Sequence, residues 1–135
     1  MDVLPADESW NLLSSMTLGR LVACVEGGYP EIFPVNFVVQ HRTVLFRTAE
    51  FATKLFTLVM NARVVFEADD HTVSEGWSVI VKGTAQVLNT SAEIEEAQRA
   101  QLLPWTAGFK PRYVRVHPSE ISGRRFRFGS ESDID

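Results

Sequence analysis

The sequence predicts a mainly β domain, a small antiparallel barrel of six strands with two or three short flanking helices. Three observations carry that expectation. Runs rich in β-branched and aromatic residues recur at 21–26, 32–39, 43–48, 63–68, 77–87 and 113–116, the last resuming near 121–126. The breaks between the first three are short and polar, suited to hairpin turns. Helical patterning is confined to a few short segments, and a chain in which only some strands are followed by helices does not wind a parallel β/α sheet. Barrels of about eight strands already have just enough interior for their own side chains, so a six-stranded one is packed solid and any ligand must lie outside it.

Taken in order, Asp7 or Ser9 caps a first helix in which Trp10, Leu13 and Met16 share a face, and Leu18-Gly19 ends it. The run at 21–26 alternates, and Cys24 within it reads as a small buried side chain. Gly27-Gly28 makes a tight turn back into the second strand. Pro34 interrupts that strand, and because proline cannot donate to a ladder it marks an edge, a bulge or a bend there. Asn36 shares a face with Pro34. After the break at Gln40-His41-Arg42 and the strand at 43–48, Phe51, Leu55, Leu58 and Val59 line one side of a helix. Asp69-Asp70-His71 reads as a polar loop rather than a metal site, since no second histidine lies at a ligand spacing. Lys82-Gly83 introduces a bulge into the strand at 77–87. Ser91 caps a polar helix that Pro104 ends, and its crowded glutamates are a solvated helix start rather than acid–base catalysts.

The 135 residues suit one domain, read as 1–128, followed by a short acidic tail at 129–135 too polar to order itself. A net charge of −4 argues against broad nucleic-acid binding, although Arg124, Arg125 and Arg127 form one basic cluster. No apolar run approaches the roughly 18 residues that span a bilayer, and the first residues lack the basic and apolar regions of a signal peptide. The expected compartment is the cytoplasm. With a single cysteine there is no internal disulfide and no cysteine-rich zinc site.

The most informative polar cluster falls within 31–54. Arg47 and Thr48 end one strand, and Thr53 and Lys54 open the following helix, where free backbone N–H groups and the positive end of the helix dipole also lie. A guanidinium, an ammonium and two hydroxyls converging there suit a phosphate. The ordinary alternative is a pair of solvated surface charges. Neighbouring motifs sharpen the reading. Pro34-Val35-Asn36-Phe37, Phe46-Arg47-Thr48, Thr53-Lys54 and Gly76-Trp77-Ser78-Val79, in that order, resemble the flavin-binding split barrels related to pyridoxamine 5'-phosphate oxidase, over about 18–125.

The resemblance implies flavin mononucleotide (FMN) held on the outside of the barrel at a homodimer interface, with a small molecule as substrate. Arg47 and Lys54, assisted by Thr48 and Thr53, would bind the phosphate. Pro34, Val35 and Asn36 would present backbone and amide groups to the isoalloxazine edge, and Trp77 and Ser78 would contact the ring or ribityl chain from the neighbouring strand. Trp105 and Arg115 would reach across the dimer. For Trp77 a place in the core is the competing reading. The chain departs from the oxidase itself, because nothing after Phe128 resembles its C-terminal substrate-binding segment, so the fold does not assign vitamin metabolism. Two alternatives stand beside an FMN-dependent oxidoreductase. One is a deazaflavin-dependent reductase that draws on Arg124 or Arg125, and the other is a non-catalytic flavin-binding or stress-related protein.

Overall fold

The computed structural model describes residues 1–24, 28–48, 63–102 and 112–129. Along them run β1 Asp2–Leu4, α1 Ala6–Ser14, β2 Leu18–Cys24, β3 Pro30–Gln40, β4 Thr43–Thr48, β5 Arg63–His71, β6 Glu75–Val87, α2 Ser91–Arg99 and β7 Arg112–Arg127. The strands form one antiparallel sheet in the order β1-β7-β4-β3-β2-β5-β6, and a further pairing of β7 with β6 closes six of them into a ring. This is the mainly β antiparallel barrel that the sequence predicts. The seventh strand, β1, adds to the outer edge of β7 at Gly123–Arg125. The helix read at 51–60, with Thr53 and Lys54, lies outside the described residues, as do Gly27 and Trp105.

Alternation along each strand fills the interior. Leu21 and Ala23 of β2, Val35 and Phe37 of β3, Val44 and Phe46 of β4, and Val64 and Phe66 of β5 all point inward and are buried. Trp77, Val79 and Val81 of β6 and Val114 and Val116 of β7 complete the wall. Phe37 and Phe66 meet edge to face with ring centroids 4.7 Å apart. Each of these valine, leucine and phenylalanine side chains contributes about 1.5–3 kcal/mol on burial, so the barrel is its own core.

Helix α1 closes one end with Trp10 and Leu13. Its N-cap is Pro5, with no side-chain cap, rather than Asp7 or Ser9. Ser9 is instead fully buried and donates to the Pro5 carbonyl at 3.0 Å. It faces Gly123, where an added Cβ would lie 2.2 Å from the Ser9 Oγ. Leu18 and Gly19 open β2 rather than ending the helix. Within β2 the inward positions are Leu21 and Ala23, so the same alternation leaves Cys24 on the outside and exposed, contrary to the expectation of burial. The ladder of β6 with β7 slips between Lys82 and Gly83, the bulge read from the sequence.

Helix α2 covers part of the outer face. Thr90 caps it one residue before the predicted Ser91, and the Thr90 side chain and the Glu93 carboxylate satisfy each other's backbone N–H. Ala97 and Leu88 pack there on Leu45. No helix of the described residues is long and apolar enough to cross a membrane.

Candidate functional site

Strand β3 changes partner along its length. Pro30–Asn36 pair with β2, whereas Phe37–Gln40 pair with β4. The β3–β4 ladder ends at Phe37–Phe46, and beyond that pair the two strands form a fork. Pro34, Val35 and Asn36 lie on one arm, while Arg47 and Thr48 lie on the other, where they pair with Tyr113 and Arg112 of β7. Five of the predicted site residues therefore lie on the two arms of this fork. Pro34 sits on a strand edge, where a missing N–H is tolerated. It is exposed and Asn36 is half-buried, both on the outer face, while Val35 turns its side chain into the core and has only its backbone to offer.

Arg47 has the most unusual surroundings of this group. Its guanidinium carbon lies 4.9 Å from the centroid of the Tyr113 ring, a cation–π contact that the cross-strand register imposes. Its Nε is buried and has no hydrogen-bond partner among the described residues. A buried idle donor costs about 1–3 kcal/mol, and an oxyanion at the fork would relieve it. Tyr113 was not legible as a site residue, because the register that places it over Arg47 is not written in either strand alone.

Trp77 and Ser78 are not on the strand beside the fork. They belong to β6, which β2 and β5 separate from β3. Trp77 faces inward among the core residues. Ser78 faces outward, and its hydroxyl donates to Glu67 Oε2 at 3.0 Å. Arg20 Nη1 binds the same carboxylate at 2.6 Å and Asp69 Oδ2 at 3.0 Å. Burial first, then the hydrogen bond shared with Asp69, pushes the Glu67 carboxyl above its usual range, while Ser78 and Arg20 pull it down.

Arg115 is also away from the fork. Flanked by Val114 and Val116, it is buried beneath α2 and donates to Thr43 Oγ1 at 2.7 Å and Gln40 Oε1 at 2.9 Å, with Glu96 3.8 Å away. Its hydrogen bonds tie β7 to the β3–β4 hairpin, and the ion pair with Glu96 reaches α2. Among the described residues no His, Cys, Asp and Glu side chains gather in a group that could hold a metal ion.

The family model for pyridoxamine 5'-phosphate oxidase matches residues 5–125. The chain belongs to that family. An uncharacterised Mycobacterium tuberculosis protein is 67% identical over 96 residues, 71% of this chain and 86% of its own length. Among solved structures, the FAD binding protein from Mycobacterium smegmatis is 54% identical, covers 95% of this chain and 100% of its own, and superposes with a TM-score of 0.85. A Corynebacterium diphtheriae protein of unknown function is 38% identical over 94% of this chain and 98% of its own, with a TM-score of 0.79.

Proposed function

We propose that this member of the pyridoxamine 5'-phosphate oxidase family is a flavin-dependent oxidoreductase that seats the cofactor phosphate at the fork between β3 and β4. The observation that carries the reading is the buried Nε of Arg47, without a hydrogen-bond partner among the described residues, beside edges of β3 and β4 that no longer pair with each other. A phosphate oxygen is the acceptor that such a donor lacks. Thr48, and Thr53 and Lys54 further along the sequence, join Arg47 in holding it, while Pro34, Val35 and Asn36 present backbone and amide groups to the ring. The bound flavin supplies hydride chemistry, and the protein's part is orientation and charge.

FMN is the smallest flavin nucleotide that satisfies this seat. The likeness to the Mycobacterium smegmatis FAD binding protein supports the dinucleotide as a second reading, since it carries the same phosphate. A deazaflavin with a longer anionic tail would draw on Arg124 or Arg125, and Arg125 is already engaged by Glu8 at 3.2 Å and Glu75 at 3.6 Å. The site is completed in this reading by a second copy of the chain. Leu18 and Ile32, 43% and 66% exposed on the outer face of β2 and β3, give that copy an apolar surface beside Pro34. Arg115, which is buried and donates to Thr43 and Gln40 within the chain, has no part in this interface in the present reading.

The test is the visible spectrum of the purified protein after reconstitution with FMN, FAD or a deazaflavin in competition. A bound flavin spectrum is expected, with the deazaflavin displaced. A protein that stays colourless with both flavins removes the proposal, and bound flavin without nicotinamide-coupled turnover leaves a flavin-binding protein that is not an enzyme.

A further inference from the structure

Arg47 is held by different chemistry from Arg20, Arg42 and Arg125. Arg20 lies against Glu67 and Asp69, Arg42 against Asp7, and Arg125 against Glu8 and Glu75, so that carboxylates take up both their charge and their N–H groups. The partner of Arg47 among the described residues is the Tyr113 ring, whose centroid lies 4.9 Å from the guanidinium carbon. An aromatic face attracts a cation without neutralising it, and it takes none of the N–H groups that a carboxylate would.

The sheet itself puts the ring there. Arg47 and Tyr113 are directly paired residues of β4 and β7, both turned outward because Phe46 and Val114 beside them fill the core. Tyr113 is fixed in its turn. Its carbonyl accepts from the Leu88 N–H at 2.9 Å, and its side chain packs on the cluster of Leu45, Leu88 and Ala97, the last of which belongs to α2. A long arginine side chain gives up rotamer freedom when it grips an anion, and a ring that already holds the guanidinium removes part of that loss before the ligand arrives. We propose that Tyr113 is the positioning residue of Arg47: its ring, backed by α2, holds the guanidinium on its arm of the fork by a contact that leaves charge and N–H groups to an oxyanion. That this oxyanion is a cofactor phosphate rests on the function proposed above, whereas the hold on Arg47 does not.

A double-mutant cycle read with two ligands tests this. Tyr113→Leu keeps an apolar side chain on the α2 cluster but removes the ring, and it should weaken FMN about three- to tenfold while leaving riboflavin within about twofold. Tyr113→Phe restores the ring and should return FMN affinity to within about twofold of the wild type. In an Arg47→Met background Tyr113→Leu should have no further effect on FMN, since the tyrosine acts through the arginine. The Nε–H of Arg47 reports the hold with no ligand present: its exchange with water, slow in the wild type and in Tyr113→Phe, should quicken about tenfold or more in Tyr113→Leu. Equal losses for FMN and riboflavin, a Tyr113→Leu effect that persists without Arg47, no rescue by Tyr113→Phe, or an unchanged Nε–H exchange rate would each overturn the proposal. A wild type that binds neither flavin removes the function proposed above, and inorganic phosphate then replaces FMN as the probe. The same weakening of about three- to tenfold in Tyr113→Leu would support the role of Tyr113, and equal affinity or no phosphate binding would overturn it.

Discussion

Replacing Arg47 by methionine should separate two roles that an arginine usually combines. In the flavin-free protein the buried Nε, without a partner among the described residues, costs about 1–3 kcal/mol, and the stack on Tyr113 returns about 0.5–2 kcal/mol. Methionine has a similar reach, leaves no donor unsatisfied and keeps a sulfur–aromatic contact of about 0.3–1.5 kcal/mol. The stability of the flavin-free Arg47→Met protein should therefore stay within about 1 kcal/mol of the wild type or rise. Binding should move the other way. Losing a charge-assisted contact to phosphate costs about 1.5–3 kcal/mol, so FMN affinity should fall roughly ten- to hundredfold while riboflavin, which has no phosphate, is nearly unaffected. Urea unfolding gives the first quantity and fluorescence titration of the two ligands the second. A stability loss above about 2 kcal/mol with both affinities intact would make Arg47 a structural residue. Equal losses for FMN and riboflavin would mean that the substitution disturbed the fold, and no loss for either would place the phosphate elsewhere.

Three further perturbations test the frame around the site. At Gly83 an added Cβ would stand 2.2 Å from the His117 carbonyl oxygen, so Gly83→Ala should cost about 2 kcal/mol or more in urea unfolding; a neutral outcome would mean that the bulge yields easily. His41 and Arg42 turn the β3–β4 hairpin with φ of 50° and 54°, so His41→Asn should raise stability by about 0.5–1 kcal/mol, read as a shift in melting temperature. Glu67 binds its proton more tightly folded than unfolded, so its contribution is fully present below its ordinary value of 4.5 and is lost as pH rises through its raised folded value. Glu67→Gln should thus gain on the wild type as pH rises from about 4 to about 8 in urea titrations, and a difference independent of pH would contradict the assignment.

Most of the barrel was legible because alternation is a local signal. The strand at 32–39, the polar turn at 40–42 and the bulge at Lys82-Gly83 each show in a few adjacent residues, and the structure has all three. The phase of alternation was less secure where one face is only partly covered, which is how Cys24 came to be read as buried. Arg115 was harder still. A charged residue between two core valines looks like an outward position, and only the remote helix α2 makes that outer position an inside one. Strand β1 left no trace, being three residues whose partners Gly123–Arg125 stand at the other end of the chain. In the candidate site, the PVNF and FRT motifs fall on the two arms of the fork, but the tyrosine over Arg47 and the place of Trp77 depend on strand order, a property of the whole sheet.

The long strand β7 takes β6 along one edge and both β4 and β1 along the other. During synthesis this makes the barrel a structure that cannot close early. Residues 2–4 leave the ribosome long before their partners at 123–125, and β4 must wait for 112–116. Until then β4 and β6 each carry an open hydrogen-bonding edge, and such edges are where nascent chains pair with one another. Ring closure is a long-range event with a large loop entropy, so folding is expected in the slow range of roughly milliseconds to seconds that such topologies share. Slow closure also dates the candidate site. Tyr113 reaches Arg47 only in that last step, so the arginine meets its ring when the ring of strands is sealed and not before.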